Sequence, residues 1–336
     1  MTLRLLFLTD DREDYLADSL LHGLRQLPNV ELVDWPRKDC LYIGGRVCAR
    51  APEFGVRGGG FSLYGLLDEP EEGINRNQIW RRLEAGWFNA VIIGNVWRQW
   101  GLLLQWRELL GRQSLLLLDG DDDQRIYPRS GTRLRQFGVG SGATRLLQQA
   151  STHYFKRELT SRSRRWGLRL QLHQIGFSIP EQAIVTSPPK KTKLFPSHIV
   201  DPELCERISA SSSYAFVDEA AYRNDLACSR YGITTRRAGW DCLRHYEIAA
   251  SGTIPCVRDL QLKPASCAPH GLEDGVNCLS YQNADQLLQR IEAISPEQEL
   301  GLRHNALSWA KANSTSARAK HLLDFLPNYL FIACVT

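Results

Sequence analysis

The stretch Tyr231-Gly232-Ile233-Thr234-Thr235-Arg236-Arg237-Ala238-Gly239-Trp240-Asp241-Cys242-Leu243-Arg244-His245-Tyr246-Glu247-Ile248-Ala249-Ala250-Ser251-Gly252-Thr253-Ile254-Pro255-Cys256-Val257 carries two arginines, a helical pattern and a buried apolar run in succession. The pattern predicts a helix over 240–251 with Gly239 just before it. Gly252 just after it suits a left-handed cap, and the strand at 254–257 follows. The unit is therefore loop, helix, glycine cap, strand.

Within the predicted helix, Leu243, Glu247 and Ala250 fall at i, i+4 and i+7, on one face. A carboxylate amid small apolar residues must meet a partner, because burying it unpaired costs several kcal/mol. Arg236, Arg237 and Gly239 lie near the helix start, where free N–H groups and the positive dipole end favour an anion by roughly 0.3–2 kcal/mol. Arginines add bidentate bonds to phosphate. A diphosphate with a ribose attached fits this constellation, its phosphates at the loop and its ribose hydroxyls on Glu247. The bland alternative is a set of helix-surface pairs, Arg244 with Glu247 at i, i+3 and Asp241 with His245 at i, i+4.

Outward from this stretch, short apolar strands alternate with helical patterns. Residues 3–8, 30–33, 89–94, 114–118 and 153–156 read as strands in the first half, and 213–217, 254–257 and 276–280 in the second. Nearly all-apolar strands separated by helices predict an α/β protein whose parallel sheets are covered on both faces. Ligands of such sheets sit beyond the carboxyl ends of the strands, so the loops after Leu8, Gly94, Leu118, Phe155 and Val257 are places to look for chemistry. Two domains are expected from 336 residues, at about 150 residues per domain. The boundaries read as 1–175 for the first, a proline-bearing linker over 176–200, and 201–336 for the second with its C-terminal helices.

Net charge is only +4, from 41 basic and 37 acidic residues, which argues against a nucleic-acid partner. No apolar run reaches the roughly 20 residues of a membrane span, and the first ten residues read as a buried strand rather than a secretory signal. Nine cysteines without a C-x-x-C pair fit free thiols in the cytoplasm rather than zinc or redox-dithiol chemistry.

Other polar clusters compete for a role. Asp119-Gly120-Asp121-Asp122-Asp123 follows a strand, and Asp119 and Asp121 could offer hard oxygens to Mg²⁺ or Mn²⁺, although acid-rich loops are also plain turn chemistry. Asp10 and Asp11 end the first strand, where a base for an acceptor hydroxyl could sit, or simply a turn or helix cap. Arg57-Gly58-Gly59-Gly60 lacks the dinucleotide-binding glycine order. Lys156, Arg157, Arg162, Arg164, Arg165 and Arg169 form a basic cluster read as a solvated face. His173 and His198 read as structural.

The run Arg237–Pro255 resembles the donor-site segment of GT-B glycosyltransferases, and most closely their exostosin-like and bacterial family-1-like forms. The shared pattern is a basic residue, a Glu-containing helix, Ala-x-Gly, and a small apolar residue with Pro opening a strand. The first acid of that family's Glu-x7-Glu pair falls here at Gly239. The resemblance implies two Rossmann-like domains facing a cleft and a nucleoside-diphosphate-sugar donor. It puts Glu247 on the ribose and Arg236 or Arg237 on the diphosphate, with Gly239, Trp240, Asp241, Arg244 and His245 around them. It also implies that no metal is required, and an acceptor that is a glycan, a lipid-linked species or a protein, with peripheral membrane association left open. The rival functions are a metal-dependent enzyme centred on residues 119–123 and a non-catalytic nucleotide- or glycan-binding module.

Overall fold

The computed structural model describes residues 2–45, 63–70, 73–126, 146–167, 169–212, 216 and 219–326. These fall into two compact units. The first comprises the described residues of Met1–Cys48, Tyr64–Gly176 and Thr315–Thr336, and the second those of Ala49–Leu63 and Phe177–Ser314.

In chain order the first unit contributes β1 (Leu3–Leu8), α1 (Tyr15–Arg25), β2 (Val30–Trp35), α2 (Ile79–Glu84), β3 (Ala90–Ile93), α3 (Trp100–Gln105), β4 (Leu115–Asp119), β5 (Thr152–Lys156), α4 (Ser161–Trp166) and β6 (Gln171–Gln174). The second contributes α5 (Pro202–Arg207), α6 (Glu219–Ala227), β7 (Tyr231–Thr234), α7 (Leu243–Ala250), β8 (Ile254–Arg258), β9 (Leu279–Tyr281), α8 (Ala284–Ala293) and α9 (Pro296–Ala312). The last helix, α10 (Thr315–Leu323), returns to the first unit.

The first sheet runs β2-β1-β3-β4-β5-β6, every pair parallel. Its central strands β1, β3 and β4 are apolar on both faces, while the edge strand β6 is polar and partly exposed. Leu6, Leu8, Val91, Ile93, Leu115 and Leu117 join a core with α2 and α3, and Leu5, Phe7, Ile92, Leu116 and Leu118 are equally buried. Strand order reverses between β1 and β3, which places the loops after those strands at the switch point of the sheet. There Asp14 caps α1 by accepting from Ala17 N (3.0 Å), and its other oxygen accepts from Asn95 Nδ2 at 2.7 Å. Gly23 lets α1 approach α10, since a Cβ there would fall into the Thr315 carbonyl. His22 Nδ1 and Thr315 Oγ1, 2.9 Å apart, complete that contact.

The second sheet, β7-β8-β9, is also parallel. Its core gathers Tyr231, Ile233, Ile254, Cys256, Leu279 and Tyr281 under Leu287, Ile291 and Leu302 of α8 and α9.

Three sequence expectations change. The helix expected from 240 begins at Leu243, because Asp241 turns its side chain inward to accept from Phe177 N (2.8 Å) and Tyr246 Oη (2.9 Å), which holds 240–242 out of the helix. Residues 177–200, expected as a linker, are bonded into the second unit. Val185 N reaches Ala250 O, and Lys191 Nζ donates to Ala227 O (2.7 Å) and Thr253 Oγ1 (3.0 Å). Helix α10, expected to close the second domain, packs on α1 instead, so the second unit ends at Ser314. The glycine run 57–60 and most of the strand expected at 213–217 lie outside the described residues.

Candidate functional site

The segment from β7 through α7 to β8 is one βαβ crossover, and the loop 235–242 lies beyond the carboxyl end of β7. Two glycines shape it. Gly232 brings β7 against Ile248 of α7, and Gly252 takes φ +64° just after the helix, the left-handed backbone that a side chain resists.

Arg236 and Arg237 are both exposed, and neither makes an ion pair among the described residues. The Arg236 guanidinium lies 5.0 Å from the centre of the Trp240 ring, an arrangement that holds the charge at the surface. Arg237 N donates to Gly239 O at 3.1 Å, closing a tight turn over a buried glycine. Helix α7 receives no side-chain cap from Cys242. His245 N bonds Cys242 O at 3.1 Å, whereas the N–H groups of Leu243 and Arg244 have no bond among the described residues and, with the positive dipole end, can meet water or an anion.

Behind this rim the polar groups are buried. His245 bridges Trp240 O through Nε2 (2.9 Å) and Thr234 Oγ1 through Nδ1 (3.0 Å). A carbonyl only accepts, so Nε2 carries the proton and Nδ1 accepts from the threonine. Burial then pushes the His245 pKa down, and the ring is neutral. His245, Trp240 and Asp241 thus hold the loop's shape.

Glu247 lies one turn into α7 and is 8% exposed. Its Oε2 accepts from the Tyr222 hydroxyl of α6 at 2.9 Å. Burial raises its pKa to about 7, against the lowering influence of Arg244 and of the tyrosine bond. Tyr222 itself gave no sequence signal, since Glu-Ala-Ala-Tyr-Arg-Asn-Asp-Leu-Ala reads as an ordinary surface helix. Only the packing of α6 on α7 brings it to the carboxylate.

The other sequence candidates lie in the first unit. Asp10 accepts from Arg12 N (2.8 Å) and has Arg98 Nη1 at 3.4 Å and Lys38 Nζ at 3.8 Å, so it forms a turn with cations on two sides. Asp11 is exposed, and the helix cap is Asp14 rather than either of them. Asp119 is fully buried. Its Oδ2 receives Tyr154 Oη (2.6 Å) and Lys156 Nζ (2.9 Å), and its Oδ1 receives Asp121 N (3.3 Å), which commits both oxygens. Asp122 pairs with Arg157, and Asp123 with Arg125. No group of three His, Cys, Asp or Glu among the described residues could hold a metal ion. The basic cluster divides as well, with Lys156 and Arg157 buried in these pairs and Arg162, Arg164, Arg165 and Arg169 exposed.

The fold is the GT-B fold of glycosyltransferases. Among solved structures the chain is similar to HepE of Anabaena in complex with UDP and glucose. The TM-score is 0.53 at 11% identity, covering 96% of this chain and 99% of that one. It is similar too to a glycosyltransferase of Rickettsia africae (TM-score 0.54, 10% identity, 97% and 99% covered). A third is the sucrose-phosphate synthase of Thermosynechococcus elongatus (TM-score 0.50, 13% identity, 98% and 100% covered). No family model matches the sequence, and no curated protein matches it.

Proposed function

We propose that the protein is a glycosyltransferase that takes a sugar from a nucleoside-diphosphate donor and passes it to a glycan, lipid-linked or protein acceptor. One observation carries this reading. A buried carboxylate, Glu247, lies one turn behind a loop that presents two exposed guanidinium groups, without an ion pair among the described residues, at the carboxyl end of a parallel strand. Phosphates suit Arg236, Arg237 and the uncapped start of α7, and ribose hydroxyls suit Glu247. The likeness to HepE with UDP and glucose, and to a rickettsial glycosyltransferase, supports the same use of this fold.

Catalysis would come from holding the donor and stabilising the departing diphosphate, for which Arg236, Arg237 and the first-turn N–H groups are placed. These groups supply positive charge themselves, so donor binding does not depend on a divalent cation. Asp10, at the switch point of the first sheet, is the acceptor-side base in this reading. No helix among the described residues is long and apolar enough to cross a membrane. In this reading the reaction takes place in the cytoplasm, and a lipid-linked acceptor would be met at a membrane surface.

The test is a thermal-shift screen against UDP, GDP, ADP, CMP and dTDP with and without EDTA, followed by donor turnover with the matching nucleotide sugar. A shift of several degrees with one diphosphate, unchanged by chelator, is expected. No shift with any of them ends the proposal, and binding without turnover in an acceptor screen leaves a binding module instead.

A further inference from the structure

The bond between α6 and α7 raises a question that the donor site does not answer by itself. Glu247 could meet its partner requirement with Arg244 one turn away on its own helix. Instead the Tyr222 hydroxyl of α6 donates to Glu247 Oε2 at 2.9 Å, while Arg244 contributes its charge nearby. A phenol has one proton to donate, and Tyr222 spends it on the carboxylate. Glu219 and Arg223 of α6, an i, i+4 ion pair, are the remaining charges facing the carboxylate.

Tyr222 is 2% exposed and packs with Leu226, Ile248 and the ring of Phe216, 5.5 Å away. The two helices are tied at their far ends by Lys191 Nζ, bound to Ala227 O and Thr253 Oγ1, and by Thr253 Oγ1 donating to Leu226 O at 2.7 Å. The phenol is therefore held by packing at its ring and by its hydrogen bond to Glu247 at its oxygen.

We infer that Tyr222 is a positioning residue that occupies one oxygen of Glu247, so that the other is presented in a single orientation to the ribose hydroxyls of the donor. The inference rests on the reading of Glu247 as the ribose-binding group. A carboxylate held on one side keeps fewer rotamers to lose when the nucleotide binds, and aims its remaining lone pairs. Arg244 supports the same carboxylate directly, its charge favouring the ionised form from the preceding turn of α7.

The experiment measures binding of UDP, GDP and ADP, each against its 2′,3′-dideoxy counterpart, to the full chain carrying Tyr222→Phe, Glu247→Gln or both. Tyr222→Phe removes one oxygen and keeps the ring, and its melting temperature reports whether the fold survives. The ribonucleotide should bind about five- to tenfold more weakly, roughly the worth of one ordinary hydrogen bond, and the dideoxynucleotide less than twofold more weakly. The double variant should lose no more than Glu247→Gln alone. The pH midpoint of binding should move upward in Tyr222→Phe, because the phenol's bond favours the ionised carboxylate. Equal losses for ribo- and dideoxynucleotides, or no loss in Tyr222→Phe while Glu247→Gln discriminates them, would overturn the inference and leave Glu247 in place. Failure of Glu247→Gln to discriminate them would overturn both.

Discussion

Two polar loops follow buried parallel strands in this protein, and they spend their charge in opposite ways. After β4, Asp119, Asp122 and Asp123 each meet a counter-ion at once. Asp119 takes Lys156 and Tyr154, Asp122 takes Arg157, and Asp123 takes Arg125. After β7, Arg236 and Arg237 remain exposed, with no ion pair among the described residues, while the groups behind them are bonded inward. The first loop is a structural knot. The second keeps positive charge in reserve. Charge density alone does not distinguish them; what does is whether the chain supplies its own counter-ions.

The largest effect should come from cutting the knot. Asp119→Ala leaves the Lys156 ammonium buried without its carboxylate, which costs about 3–5 kcal/mol. Urea unfolding should show this, while nucleotide affinity in the second unit stays as it was. A variant that unfolds normally but loses nucleotide binding would reverse the comparison.

Glu247→Gln comes next and should weaken donor binding by about 1–3 kcal/mol at pH 8, as a charged hydrogen-bond partner is lost. With its pKa raised to about 7 by burial, wild-type Glu247 is protonated at pH 6 and ionised at pH 8. Affinity should therefore rise across that window in the wild type and stay flat in the variant, as calorimetry would show. Stability has the opposite sign. A folded acid whose pKa lies above the ordinary value of 4.5 favours the fold at low pH and loses that contribution as pH rises towards 7. Glu247→Gln should accordingly gain in melting temperature, relative to wild type, more at pH 8 than at pH 5.

The smallest effect is on the reserve charge. Arg237→Ala should weaken UDP about fivefold (~1 kcal/mol) and uridine hardly at all, with the difference shrinking in salt, because an exposed cation acts on the phosphates through screened water. Equal losses for both would mean a disturbed loop rather than a lost phosphate contact.

Strands β1, β3 and β4 were legible because each is a short, almost wholly apolar run, and a strand buried on both faces permits little else, whereas β6, Gln171-Leu172-His173-Gln174 at the sheet edge, carries no such run and was not expected. The glycine after α7 was legible for a similar local reason. The helix start was misplaced by three residues. Asp241 reads as a first-turn acid, but its carboxylate is claimed by Phe177 N, far away in the sequence. The fate of residues 177–200 was hidden likewise. Prolines and lysines suggest a linker until Lys191 is seen at the C-terminal ends of two helices, where burial pulls its pKa down to about 7.

The sequence by itself determined the alternation of buried strands and helices, the crossover 231–258 and the need of Glu247 for a partner, because periodicity, glycine conformation and the cost of a buried charge are local physics. Only the tertiary structure decided which partner that was, that Asp119 has no oxygen to spare, and that the final helix returns to the first. Each depends on contacts between residues distant in the chain, where the free energy of burial and pairing is settled by what packs alongside rather than by what comes next.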